Sequence, residues 1–119
     1  MQYALIINEH PEEMAKREGR DAPAYWAAWA AFSKAVAEAG VMRGGAGLQP
    51  PHSATTVTLS EGGHQVQDGP FSDSKEQLGG FFLIEAESLD EALTWASRLP
   101  SPEGKIEVRP CLPPQSSDE

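Results

Sequence analysis

The sequence predicts an α+β domain in which an antiparallel sheet carries both of its helices on one face. Three observations lead there. The order of periodic segments is strand, helix, two or three strands, strand, helix, strand, the alternation expected when helices segregate to one side of a sheet. The segments Tyr3 to Ile7 and Phe81 to Ile84 are apolar on both sides, although two helices can cover only one face. At 119 residues and 39% apolar content, the chain has the size of one domain with one modest core.

Tyr3 to Ile7 is followed by Asn8, Glu9, His10 and Pro11 and reads as a short strand ending at a loop. Glu12 to Asp21 is charged and lacks an apolar stripe, which predicts a loop or a short solvated helix without a functional part. Asp21, Ala22 and Pro23 suit a helix start, with Asp21 as the cap, and a long helix is expected from Pro23 to Ala39. Tyr25, Trp29, Phe32 and Val36 fall on one face of it, widened by Trp26 and Ala30, as core packing against the sheet. Gly40 is the natural stop.

Val41 to Leu48 contains Gly44, Gly45 and Gly47. A phosphate-cradling loop needs a strand before it and a helix after it, and here a helix precedes and Pro50 and Pro51 follow, so an irregular or bulged strand is expected. Ala54 to Ser60 alternates as a half-buried strand with Thr55, Val57 and Leu59 on one side. It turns at Glu61, Gly62 and Gly63 into a second arm, His64 to Asp68. Gly80 to Ala86 is the next strand. Ser88 caps a helix from Leu89, with Glu91 at the capping-box position and Leu89, Ala92, Leu93 and Ala96 as its buried stripe. Pro100 ends that helix, Ile106 and Val108 mark a last strand, and residues 113–119 read as a polar, disordered tail after a domain spanning residues 1–112.

Charge and cysteine content narrow the partners. Nine Lys and Arg stand against eighteen Asp and Glu, a formal net charge of -9, which repels a phosphate backbone and argues against nucleic acid. Cys111 is the single cysteine, which rules out an internal disulfide and a multi-cysteine zinc site and suits a reducing cytoplasm. No apolar run approaches the roughly 20 residues of a membrane span, and the N-terminus does not read as a secretion signal. No histidine pair has metal-ligand spacing, and no cofactor is implied. The uncovered sheet face expected above points to a homodimer, sheet against sheet.

The residues able to carry chemistry are few. Asp68, before Gly69 and Pro70, is either a base or hydrogen-bond anchor where a strand ends at a pocket, or a turn former bonding nearby N–H groups. Lys75 and Glu76 either add a charged pair to that pocket or stand in solvent. His10, His52 and His64 each sit at an element end from which a side chain reaches a pocket mouth or solvent. His10 is a second catalytic candidate beside Asp68, and His52 a candidate binding residue at the rim.

Asp68-Gly69-Pro70-Phe71 is the most distinctive motif. With it stand Ala39-Gly40-Val41, Gly47-Leu48-Gln49-Pro50-Pro51, Lys75-Glu76-Gln77-Leu78-Gly79-Gly80, Leu89-Asp90-Glu91-Ala92 and Glu107-Val108-Arg109-Pro110. Together these resemble the YCII-related family, in particular its DGPF subgroup. The resemblance implies a ferredoxin-like antiparallel sheet with two helices on one face, assembled as a dimeric α+β barrel. It also implies kinship with small lactone isomerases and a dehydrochlorinase, for which a His and Asp pair has been proposed as acid and base. The helix-start histidine of that pattern is absent here, where Asp21-Ala22-Pro23-Ala24-Tyr25 stands. Proteins of the subgroup are also often encoded beside extracytoplasmic-function sigma factors. Two functions are therefore expected: a small-molecule-binding protein or enzyme with a pocket between sheet and helices, or a non-catalytic accessory protein whose acidic surface meets a basic protein partner.

Overall fold

The computed structural model describes residues 1–71 and 77–113. Its main sheet has four antiparallel strands in the order β2-β5-β1-β6: β1 (Gln2–Glu9), β2 (Met42–Gly47), β5 (Gln77–Glu85) and β6 (Lys105–Pro110). Between β2 and β5 in sequence, β3 (Thr55–Ser60) and β4 (Gly63–Asp68), joined by Glu61 and Gly62, pair among the described residues only with each other. Helix α2 (Ala22–Glu38) links β1 to β2, and α3 (Leu89–Ala96) links β5 to β6. Each linked pair of strands flanks a third strand, so the chain forms two interleaved β-α-β units, the ferredoxin-like plan that the family resemblance implies.

Alternation along β1 divides the two faces. Tyr3, Leu5, Ile7 and Glu9 are buried, while Ala4, Ile6 and Asn8 between them are only partly covered. Of this set, Tyr3 and Leu5 meet Phe32 and Val36 of α2, Ile84 near the end of β5 and Ala86 just after it, and Ala92 and Ala96 of α3 in one core, onto which Phe82, Trp95, Ile106 and Val108 pack. The Phe32 ring meets Phe82 edge-on at 5.1 Å between centroids. On the opposite face, Phe81 and Leu83 join Ala4 and Ile6 in an apolar strip without cover from the helices.

The local signals account for most boundaries. Helix α2 stops at Gly40, whose φ of +76° lets the Val41 N–H return to the Val36 carbonyl and the Gly40 N–H to that of Ala37. Ser88 caps α3 by accepting from the Glu91 N–H at 3.2 Å, and Glu91 reaches back to the Glu87 N–H. β2 is bulged between Met42 and Gly44, as its glycines suggested.

Four expectations need correction. Asp21 precedes α2 but makes no side-chain cap. Of the two readings of Glu12 to Asp21, the short helix is the one formed, as α1 (Pro11–Met14) followed by a 3-10 turn (Ala15–Arg17), but it is not a solvated one, since Glu13 and Met14 are buried. The buried stripe of α3 is Ala92 and Ala96 with Trp95 half-buried, while Leu89 and Leu93 are exposed, because small residues let this helix lie close to the sheet. The β3–β4 hairpin is exposed on both sides, with Leu59 at 82% of its full exposure, because none of the other described residues lies over it. Residues 114–119, most of the polar tail, and Lys75 and Glu76 lie outside the described residues.

This division of the core sets a stability contrast. Leu5→Ala, at a fully buried site, is expected to lower the unfolding free energy by about 2–5 kcal/mol, and Leu93→Ala, at a half-exposed one, by less than about 1 kcal/mol, in urea titrations followed by circular dichroism.

Candidate functional site

The last buried position on the core face of β1 is a carboxylate. Glu9 follows Tyr3, Leu5 and Ile7 in alternation and is 1% exposed, so its charge needs partners inside the fold. Two arrive from the segment that follows. Tyr25, in the first turns of α2, donates its hydroxyl to Glu9 Oε2 at 2.8 Å and lies 3.0 Å from Oε1. Arg17, at the end of the 3-10 turn, places Nη2 3.0 Å from Oε1 and donates from Nε to the Tyr25 oxygen at 3.1 Å.

Arg17 also ties in two strand ends. Its Nη1 donates to the Leu48 carbonyl just beyond β2, and Nη2 donates to the Gly79 carbonyl on β5 at 3.1 Å. Gly79 is the extra residue of a bulge, because Ile7 pairs with Gly80 and Asn8 with Leu78. A Cβ there would fall 2.3 Å from Glu9 Oε1 and 3.2 Å from Arg17 Nη2, so the cluster itself demands glycine at that position.

Burial pushes the Tyr25 phenol up to about 12; the hydrogen bond from Arg17 opposes this and the Glu9 carboxylate adds to it. Tyr25 is thus a neutral hydroxyl at physiological pH. Desolvation works against the Arg17 cation, but its bonds to Tyr25 and Glu9 outweigh that and hold its pKa above the ordinary value. The cluster is an internally neutral pair bridged by a phenol.

Beside it, between α2 and the β2–β5–β1 side of the sheet, lies a cavity of about 570 Å³. Its helix wall is Tyr25, Trp26, Trp29, Ala30 and Ser33, and Glu9 and Arg17 close one end. Its floor includes Gly45, Gly47 and Gly80, which share the face of Ile7 and Phe82. Trp26 stays at the rim, half-exposed, with its indole N–H 3.2 Å from the Arg17 carbonyl and its ring 4.9 Å from that of Tyr25. Trp29 is half-buried, and its Nε1 has no hydrogen-bond partner among the described residues.

The residues singled out from the sequence stand elsewhere. Asp68 is exposed at the end of β4, where the adjoining Gly69 bonds Ala54 and Thr56 and closes the base of the hairpin. His10 caps α1, its Nδ1 accepting from the Glu12 N–H at 3.3 Å. His52 is exposed in a 3-10 turn (Pro51–Ser53) and lines a shallower hollow of about 320 Å³, of which Arg17 and Gln77 also form part. None of the three lines the larger cavity. No group of three or more His, Cys, Asp or Glu that could hold a metal occurs among the described residues.

The model of the YCII-related domain matches residues 1–114 of this chain. The chain belongs to the YCII-related family. A similar protein, an uncharacterised one from Rhizobium meliloti (strain 1021), is 45% identical over 83 residues, covering 67% of either chain. The domain is thus a ferredoxin-like YCII-related fold whose cavity is closed at one end by Glu9, Arg17 and Tyr25.

Two outcomes follow from the cluster. Arg17→Met leaves the Glu9 charge buried without its counter-ion and is expected to cost about 3–5 kcal/mol in chemical denaturation. Because the Tyr25 pKa is higher in the fold than in the unfolded chain, its contribution is complete below pH 10 and is lost as the pH rises towards 12. Stability should therefore fall across that interval by more in the wild type than in Tyr25→Phe, as measured by melting temperature against pH.

Proposed function

We propose that this YCII-related domain binds a small molecule in the cavity between α2 and the sheet, as a binding protein or an enzyme. The observation that carries this reading is the cavity: about 570 Å³, walled by aromatic side chains and closed at one end by buried polar groups, the usual form of a small-molecule site. Glu9 and Tyr25 stand at its inner end with their geometry held by Arg17 and Gly79, which suits orientation of a bound molecule.

The same reading takes the active form to be a homodimer in the cytoplasm. Ala4, Ile6, Phe81 and Leu83 make an apolar strip on the sheet face that the helices leave bare, and a second copy supplies a cover of the same shape. The β3–β4 hairpin, with Val57, Leu59 and Val66 exposed, is also too small to be stable by itself and favours a partner surface. An accessory protein acting only through protein contacts is the competing reading, favoured by that same exposed hairpin.

Titration with small ring-bearing fragments, followed by the indole N–H resonances of the labelled protein, separates the two. Binding in the cavity shifts the Trp26 and Trp29 signals and leaves Trp95 in place, whereas an accessory protein shows no saturable shift. In sedimentation at micromolar concentration the wild type is expected to run as a dimer and Ile6→Lys, on the bare face, as a folded monomer; a monomeric wild type removes the assembly.

A further inference from the structure

We propose that the cavity takes a neutral, flat, largely apolar ring compound bearing a hydroxyl or carbonyl group, and that it rejects a carboxylate of the same skeleton. This rests on the small-molecule reading above and specifies its ligand. Three features of the cavity carry it.

The first is charge balance. Among the described residues, the charged groups lining the cavity are Glu9 and Arg17, and they are spent on each other and on the fold. Four of the five Arg17 N–H groups go to Tyr25, Leu48, Glu9 and Gly79, so a ligand carboxylate finds one N–H at most and gains a full ion pair only by displacing Glu9, which has nowhere else to go at 1% exposure. An anion entering this space keeps its desolvation cost without a free counter-charge, and a cation meets a carboxylate that is already paired.

The second feature is shape. Where side chains would ordinarily fill the space under a helix, the floor presents bare backbone at Gly45, Gly47 and Gly80, while Trp29 and Phe82 add ring surfaces to the walls. A space floored by pleated backbone and edged by indole and phenyl rings is a slot, and aromatic walls favour stacked or edge-on rings. Third, the Tyr25 phenol, its proton given to Glu9 and one lone pair to Arg17, keeps an acceptor site for a ligand hydroxyl. The Ser33 hydroxyl and the Trp29 indole N–H, the latter unpartnered among the described residues, are uncharged side-chain donors of the lining, and the set suits one neutral oxygen substituent on such a ring.

Gly47 supplies a clean control. It faces the cavity side of the sheet opposite Gly80, a Cβ built on it meets nothing within 4 Å, and its φ is not among the positive ones, so Gly47→Leu fills the slot without straining the strand. Glu9→Gln is the second variant, keeping an acceptor for Tyr25 while leaving the Arg17 charge unbalanced.

The experiment is isothermal titration of wild type, Gly47→Leu and Glu9→Gln, each confirmed folded by circular dichroism, with 2-naphthol and with 2-naphthoate at pH 7. We expect 2-naphthol to bind the wild type at least tenfold more tightly than 2-naphthoate, Gly47→Leu to lose binding, and Glu9→Gln to shift the ratio towards 2-naphthoate. Equal or tighter binding of 2-naphthoate that Gly47→Leu abolishes overturns the ligand class and leaves the cavity reading standing. An unchanged ratio in Glu9→Gln overturns the charge-balance argument. Binding that Gly47→Leu does not disturb, or no binding of either ring at millimolar concentration, overturns the cavity reading and the proposal with it.

Discussion

A single buried carboxylate organises this molecule. Glu9 occupies a position that the pattern of β1 reserves for apolar side chains, and a lone charge there would cost several kcal/mol unless it is matched inside the fold. Matching it dictates what surrounds it. The segment after β1 must fold back far enough to bring in Arg17, α2 must present a phenol in its first turns, and β5 must bulge at a residue without a side chain. Arg17 then reaches the carbonyls of Leu48 and Gly79, so the ends of β2 and β5 are tied to the same cation. One charge thereby fixes the mutual placement of three strand ends, a helix and a connecting turn.

Much of the fold was legible because it rests on local chemistry. Gly40 ends α2 and Ser88 starts α3 through hydrogen bonds between near neighbours, and the two-faced apolar strands β1 and β5 lie at the centre of the sheet where their composition placed them. Where the reading failed, distant residues decide. Leu89 and Leu93 looked like core by spacing, yet α3 meets the sheet through Ala92 and Ala96, with Trp95 half-buried beside them. Thr55 to Ser60 alternates as a half-buried strand does, but a strand is buried only if something lies over it, and none of the other described residues does.

The site was harder to see, for two reasons. Glu9 was within reach: carrying the alternation of Tyr3, Leu5 and Ile7 one step further puts a carboxylate on the buried face. Arg17 was not, because a cation inside a charged segment looks the same whether it faces water or a carboxylate eight positions away. The aromatic face of α2 concealed a double use, since Phe32 and Val36 pack the core while Tyr25 and Trp29, two turns earlier on the same stripe, wall the cavity. Asp68 drew attention by its motif, and the structure places it at the foot of the hairpin, outside the cavity lining.

The glycines of β2 carry a consequence for how such a domain diversifies. Gly45 and Gly80 are held by main chain, since a Cβ on either would fall within 2.6 Å of a carbonyl oxygen on the neighbouring strand, whereas Gly47 faces open space. The sheet is stitched by backbone bonds that are indifferent to what Gly47 becomes, so a change of one codon there resizes the chamber and leaves the scaffold as it was. Chamber volume and strand packing are encoded at separate positions of one strand, and selection can alter the first without a passage through a destabilised ancestor.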